Sequence, residues 1–204
     1  MKATLSPPHH PYTLRTMGDL ASAYLAAGQA DKALPMYEQL VSAHRSVAQA
    51  DDPNFAGVLA QFATDLLKYE QPVVAESYLR ECLGIREKVL ADQWVLFNTQ
   101  SMLGGSLVAQ AKAKMDSDKG SATKMFAEAE PLLTGGYQGM KQREAAIPPM
   151  GRFRLTEEPQ RLVDLYPVWD KPDEAAKWQQ RLDEAKAAEA TSITQAKVEQ
   201  TSEG

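Results

Sequence analysis

The sequence is poor in the residues that build disulfides, metal sites and membrane spans. Among 204 residues there is one cysteine, Cys82, and there are three histidines. A lone cysteine has no partner for an intramolecular disulfide. No run approaches the ~18 consecutive apolar residues of a membrane-spanning helix, and the start MKATLSPPHHPYT has no apolar stretch after its lysine. We therefore expect a reducing, cytoplasmic location, with no secretory signal and no membrane insertion.

The sequence also lacks a strong charge of one sign. Its 22 Lys and Arg residues stand against 27 Asp and Glu, a formal net charge of -5. That balance gives no electrostatic reason to bind nucleic acid or an anionic membrane. The one local basic concentration is small and consists of Lys141, Arg143, Arg152 and Arg154. We expect no nucleic-acid partner.

Motifs for catalysis are missing. A kinase needs a Gly-rich loop after a strand, a strand lysine, a catalytic-loop Asp with its Asn, and a metal-binding Asp-Phe-Gly. The only Gly cluster, 135–139, follows an apolar helical run, which favours close helix packing or a helix break. No Gly-x-Ser-x-Gly elbow occurs. The sequence predicts a chain that is not an enzyme and has no cofactor.

The remaining candidate chemical residues have ordinary structural interpretations. His9 and His10 are adjacent and cannot share one helix face, and His44 has no cysteine nearby, so no metal site is predicted. Cys82 is expected to be a small buried residue. The acidic pair 157–158 is interpreted as helix-start charges. The aromatic residues of the second half are expected to pack in the interior; they are Trp94, Phe97, Trp169 and Trp178.

What the sequence does have is a repeat with a period of 42 residues. The first copy is marked by Leu20, Ala21, Tyr24, Gly28, Ala33, Tyr37 and Leu40, and the second by Phe62, Ala63, Leu66, Ala75, Leu79 and Cys82. A third copy has Leu103, Gly104, Leu107, Ala129, Leu133 and Gly136, with 13 residues inserted, and a fourth has Leu162, Val163, Tyr166 and Ala175. Small residues recur where helices must approach closely, and large ones fill the gaps between them. The pattern predicts stacked helical hairpins.

The repeat register divides the chain into segments. We expect an N-terminal extension over 1–9, hairpins over 10–50, 52–90, 93–146 and 155–187, and a frayed or disordered tail over 188–204. The polar insert 112–123 is expected to form a long exposed loop between extended helices. Asp52-Pro53 and Pro172 are predicted helix starts, and Pro35 and Pro131 should lie in or near first turns. Pro167 is expected to end its helix at Tyr166.

These residues carry a family resemblance. The 42-residue spacing and the opening His10-Pro11-Tyr12-Thr13-Leu14 resemble tetratricopeptide repeats of the kinesin-light-chain type. Within that type, segments 75–83, 85–88, 129–133, 139–144 and 171–178 are similar to repeats that follow the kinase domain of some large bacterial serine/threonine kinases. The resemblance covers about residues 10–187. It implies an all-α solenoid of about four tetratricopeptide hairpins in a right-handed superhelical array.

The resemblance also implies functions. The leading hypothesis is a non-catalytic scaffold that binds another protein or peptide in a groove formed by the first helix of each hairpin. The predicted groove residues are Arg15, Asp19, Ser22, Gln61, Thr64, Asn98 and Ser101. A second hypothesis is a docking or regulatory region of a bacterial serine/threonine kinase, with a kinase domain or its substrate as partner. A third hypothesis does not depend on the resemblance: the first and last hairpins show no obvious capping helix in the sequence, so their packing faces could drive self-association.

Overall fold

The computed structural model describes the backbone of residues 11–202 and the side chains of 12–191. Within that range the chain forms eight α-helices and two short 3-10 helices, over Glu144–Ala146 and Pro149–Gly151. The α-helices are α1 Pro11–Ala26, α2 Ala30–Val47, α3 Pro53–Lys68, α4 Pro72–Val89, α5 Trp94–Lys114, α6 Lys119–Gln142, α7 Arg154–Val168 and α8 Pro172–Ser202. The prediction of an all-α repeat fold is confirmed. The predicted extension 1–9, with His9, lies outside the described residues, as does His10.

Successive helices pair into hairpins, and the hairpins group into two compact units. The first unit, Met1–Ala91, contains the hairpins α1/α2 and α3/α4. The second unit, Asp92–Gly204, contains α5/α6 and α7/α8.

The core of the first unit depends on small residues at the repeat positions. Ala21, Ala33, Ala63 and Ala75 expose no surface, so helices can approach closely at these points. Cys82 is equally buried, and its thiol donates a hydrogen bond to the Ala56 carbonyl oxygen at 3.1 Å. The predictions of close packing and of a buried small cysteine are confirmed.

In the second unit, glycines perform the same packing role between α5 and α6. A Cβ atom at Gly104 would lie 2.7 Å from Cγ of Leu133, which fills that space instead. A Cβ atom at Gly136 would lie 2.8 Å from the carbonyl oxygen of Phe97. Of the two interpretations of the 135–139 glycine cluster, close helix packing is confirmed, and a helix break is wrong because α6 continues to Gln142.

The expected packing role of the aromatic residues is also confirmed. Trp178 is 4% exposed and its ring contacts Tyr137 with centroids 5.4 Å apart. The Trp169 ring lies 5.8 Å from that of Phe126. Trp94 and Phe97 pack against a buried cluster of the second unit, made of Met140, Ile147 and Leu155.

Three of the four hairpin turns share one backbone motif. Gly28, Glu70 and Asp170 each have a positive φ, between 57° and 71°, and each lies two residues after the last residue of the hairpin's first helix. In each turn the next residue's N–H bonds a carbonyl five residues back, as Gln71 does to Leu66. This is the Schellman arrangement, which satisfies the helix's last carbonyls by backbone bonds alone.

The insert in the third hairpin is mostly helix. Helix α5 runs to Lys114 and α6 begins at Lys119, so only residues 115–118 form the turn. The new start of α6 is capped by Asp118, whose carboxylate accepts a 3.0 Å hydrogen bond from the Ser121 N–H. The extended helices are confirmed and the long exposed loop is wrong. Pro131, expected near a first turn, instead lies in the interior of α6.

The fourth hairpin also differs from expectation. Helix α7 continues through Pro159 and Pro167 to Val168, two residues past the predicted end at Tyr166. The predicted helix starts at Pro53 and Pro172 are confirmed, and the Asp52 carboxylate caps α3 by accepting from the Asn54 N–H at 2.8 Å. The backbone of α8 stays helical to Ser202, whereas the sequence predicted fraying and disorder from 188 onward.

Candidate functional site

Five of the predicted groove residues lie on α1 and α3 of the first unit. We call Arg15, Asp19, Ser22, Gln61 and Thr64 the α1/α3 residues. Arg15, Asp19 and Gln61 are exposed, and within the described part of the chain their side chains make no hydrogen bond or ion pair. Ser22 and Thr64 are half-buried and make hydrogen bonds within the chain. Ser22 bonds with Tyr37, and the Thr64 hydroxyl donates to the Ala60 carbonyl oxygen at 2.8 Å.

Close beneath the α1/α3 residues, a hydrogen bond joins the two hairpins of the first unit. The Tyr37 hydroxyl donates to the Asp65 carboxylate at 3.2 Å, linking α2 to α3. Burial, together with the charge of Asp65, raises the pKa of Tyr37. Burial also raises the pKa of Asp65, although its hydrogen bond with Tyr37 opposes the shift. The bond fixes α3, and therefore Gln61 and Thr64, against the first hairpin.

The other two predicted groove residues are buried inside the second unit. Asn98 is 8% exposed and its amide nitrogen lies 3.5 Å from the Met102 sulfur. Ser101 has no exposed surface, and its hydroxyl accepts a 3.0 Å hydrogen bond from Arg161. These side chains are not accessible to a partner, so including them in an open groove was wrong. The repeat positions placed Ser101 in the groove, but Arg161, 60 residues further along the chain, covers its hydroxyl and donates a hydrogen bond to it.

Arg161 belongs to a charged cluster that sequence reasoning missed. Its guanidinium pairs with Glu158 and lies 3.4 Å from Glu157, which Arg154 also contacts at 2.8 Å. The stem of Arg161 packs over Gly105 of α5, where a Cβ atom would meet it at 3.1 Å. Glu157 lies in the first turn, as interpreted, but Glu158 is fully buried.

The signal for a buried Glu158 was present in the pattern of α7. Leu155, Leu162 and Leu165 are buried at helical spacing, and position 158 falls on the same stripe. An acidic residue on an apolar stripe indicates a buried carboxyl. Burial raises the pKa of Glu158 to about 7, against the opposing effect of Arg161.

A second cluster fastens the turn of the fourth hairpin to α6. The Tyr166 hydroxyl donates to the Glu130 carboxylate at 2.9 Å, and Lys171 pairs with the same carboxylate at 3.3 Å. The Lys171 ammonium also lies 3.4 Å from the ring centroid of Trp169. Because Glu130 and Lys171 already pair with each other, we interpret this cluster as a structural contact that stabilises the packing of the turn on α6.

The local basic concentration is largely neutralised by ion pairs. Lys141 pairs with Glu144, Arg143 with Asp92, and Arg154 with Glu157. Arg152 is the exception: it is exposed and lines a cavity of about 380 Å³ in the second unit. The other residues lining the cavity are Lys141, Glu144, Pro149, Phe153, Leu155, Thr156, Ala185, Ala188 and Glu189. Its lining carries two basic and two acidic residues, so net charge gives no reason to expect an anion there.

Neither a metal site nor a membrane span emerges from the described residues. No group of three or more His, Cys, Asp and Glu side chains there is placed to hold a metal ion. None of the helices in that range combines the length and apolar character required to cross a bilayer.

Comparisons with known proteins support the repeat fold. Residues 13–54 match the tetratricopeptide repeat family model. Of the solved structures, a putative kinesin light chain from Podosopora anserina with nearly identical TPR-like repeats is similar over 93% of this chain and 81% of its own, at 21% identity and a TM-score of 0.63.

Two further solved structures are less similar. A second structure of the Podosopora anserina repeats has 16% identity and a TM-score of 0.42, over 88% of this chain and 97% of its own. BtubC from P. vanneervenii has 12% identity and a TM-score of 0.38, over 88% and 82%. Among curated proteins no sequence matches this chain. The matched segment 13–54 and the similarity in structure identify the fold of this chain as that of tetratricopeptide-type helical repeats.

Proposed function

We propose that this chain is a protein-interaction scaffold that binds another protein or peptide through the α1/α3 residues. The observation that carries the proposal is that Arg15, Asp19 and Gln61 are exposed polar side chains without partners in the described structure, on the first helices of tetratricopeptide-type hairpins. Stacked hairpins present such helices as an extended binding surface. A cation, an anion and an amide together suit a peptide with both charge and exposed backbone groups.

The test is affinity capture from native lysate with matched baits. One bait is the wild-type chain, and the second carries Arg15→Ala and Gln61→Ala. The control carries Gln39→Ala and Glu87→Ala, which remove exposed polar side chains from the second helices α2 and α4. We expect a partner that is retained by the wild type and the control and lost by the second bait. A partner retained equally by all three baits would place binding elsewhere.

The sequence resemblance of 75–83 and 171–178 to kinase-associated repeats supports a second candidate, a docking or regulatory region for a bacterial serine/threonine kinase. Purified kinase domains from the same genome, tested for binding to the wild-type chain, address this directly. If a kinase domain binds the chain and its phosphorylation of a substrate changes, the second candidate is supported. If none of the kinase domains binds, the second candidate is rejected. Self-association is separable from both by sedimentation over a range of concentrations, where a constant monomer mass removes it.

A further inference from the structure

Glu158 lies in an environment that disfavours the ionised form of its carboxyl group. Its side chain has no exposed surface, and within the described residues its Oε2 atom has no hydrogen-bond partner. Its Oε1 atom accepts from Arg161. Burying an ionised carboxylate is costly unless most of its lone pairs are satisfied by charges or donors.

The cation that contacts Glu158 is shared. Arg161 also contacts Glu157 and donates to the Ser101 hydroxyl on α5, so its charge is divided between two carboxylates. Helix α7 packs against α5, α6 and α8. The charges that act on Glu158 come from α7 itself, namely Arg161, Glu157 and Arg154. The neighbouring group from α5 is the neutral hydroxyl of Ser101, and among the described residues α6 and α8 add no charge to this balance.

We propose that the contact between α7 and α5 is a proton-controlled latch, closed while Glu158 carries a proton and loosened when Glu158 ionises. With the proton in place, Glu157 balances Arg161, and Arg161 remains free to hold Ser101. When Glu158 ionises, it competes more strongly with Ser101 for the Arg161 nitrogen that donates to both. Its unpartnered oxygen can then be hydrated only if α7 moves away from the helices packed against it. The burial-driven rise of the Glu158 pKa to about 7 places this change near neutral pH. The latch does not depend on which partner the chain binds.

The wild-type chain allows a direct test. Side-chain carboxyl ¹³C resonances are followed from pH 4 to 9, together with hydrogen exchange of the α7 amides corrected for the intrinsic effect of pH. We expect one glutamate, Glu158, to titrate near pH 7, well above the ordinary glutamate value of about 4.3. Protection of the α7 amides should fall by roughly ten- to a hundredfold between pH 5 and pH 8, because the closed form binds the proton more tightly than the open form.

Three variants assign the effect to the cluster. Glu158→Gln keeps the shape of the protonated carboxyl, so α7 should stay protected at both pH values. Glu157→Gln removes the carboxylate that competes for Arg161, and the Glu158 midpoint should fall. The control Glu87→Gln removes an exposed carboxylate of the first unit and should behave as the wild type.

The proposal is overturned by a Glu158 midpoint below pH 5, by α7 exchange that does not change with pH, or by a midpoint unaffected by Glu157→Gln. If Glu158→Gln fails to fold, the wild-type titration and the Glu157→Gln midpoint decide the question without it.

Discussion

The ring of Phe97 on α5 occupies the volume that any side chain at Gly139 of α6 would need. A Cβ atom built at Gly139 overlaps the Phe97 ring carbons. The guanidinium of Arg143 covers the same ring, 4.3 Å from its centroid, while it pairs with Asp92. The Phe97 ring therefore packs against both the Gly139 backbone and the Arg143 guanidinium.

Gly139→Ala should destabilise the second unit. The added methyl group forces Phe97 or the helices apart, and overpacking of this kind costs about 1–3 kcal/mol. The matched control is Gly84→Ala in α4, where a Cβ atom meets nothing within 4 Å. There the better helix propensity of alanine should add up to about 1 kcal/mol. Urea unfolding of the two variants measures both effects. If Gly139→Ala were as stable as Gly84→Ala, the α5–α6 contact could accommodate the added methyl group and the prediction would be wrong.

Glu70→Gly should stabilise the first unit. Glu70 adopts φ 57°, a conformation that costs L-residues roughly 1–2 kcal/mol and costs glycine little. The equivalent turn of the first hairpin already has Gly28. We expect a gain of about 1 kcal/mol in the free energy of unfolding. Glu70→Ala is the control, because it removes the same side chain and keeps the strain. A gain of the same size in both variants would attribute the effect to charge.

Tyr166→Phe should weaken the attachment of α7 to α6. The Tyr166 hydroxyl bonds the Glu130 carboxylate and also interacts with the buried Trp178, so its loss affects two partners. A hydrogen bond to a charged group contributes about 1.5–3 kcal/mol. Tyr137→Phe is the control, since the Tyr137 hydroxyl has no partner among the described residues. Thermal unfolding should separate the variants; a control as unstable as Tyr166→Phe would refute the assignment.

His44 should make the first unit less stable in acid. Burial lowers the pKa of His44 below its ordinary value of 6.5, because the charged imidazolium is poorly solvated beside Phe62. In the unfolded chain the ring protonates near pH 6.5. The stability that depends on neutral His44 is therefore complete above pH 6.5 and is lost as the pH falls toward the lower, folded-state pKa.

The measurement is urea unfolding at pH 5 and pH 7.5 of the wild type and of His44→Gln. The variant should lose less stability on acidification. Ser42→Ala, an exposed change on the same helix, should keep the wild-type response. If His44→Gln responded to acid as strongly as the wild type, another group would be responsible.

The regular part of the fold was predictable because its packing depends on local spacing. Ala21 and Ala63 are 42 residues apart and both are fully buried, so the period itself reports the close contacts. The insert misled because a polar stretch with Gly120 reads as a loop, whereas Asp118 caps a longer helix there. Local composition does not reveal a helix that is stabilised by packing against another long helix, as α6 packs against α5.

The site was less predictable because exposure depends on distant residues. Arg15 and Gln61 are exposed as expected, but Ser101, equally polar, is covered by Arg161 from a helix 60 residues further on. Conversely, Glu158 was interpreted as a charge at a helix start and is fully buried. Position on the apolar stripe of α7, and not residue type, would have identified it.

Glu70 and Asp170 are both exposed, and the Schellman hydrogen bonds of their turns are made by backbone groups. Their side chains have no task in the reversal of the chain, and the native Cys82 is buried. Cysteines introduced at 70 and 170 would therefore accept spectroscopic labels, one on each unit, without disturbing either core. The distance between the two labels, measured with and without a partner, would report whether binding changes the arrangement of the two units.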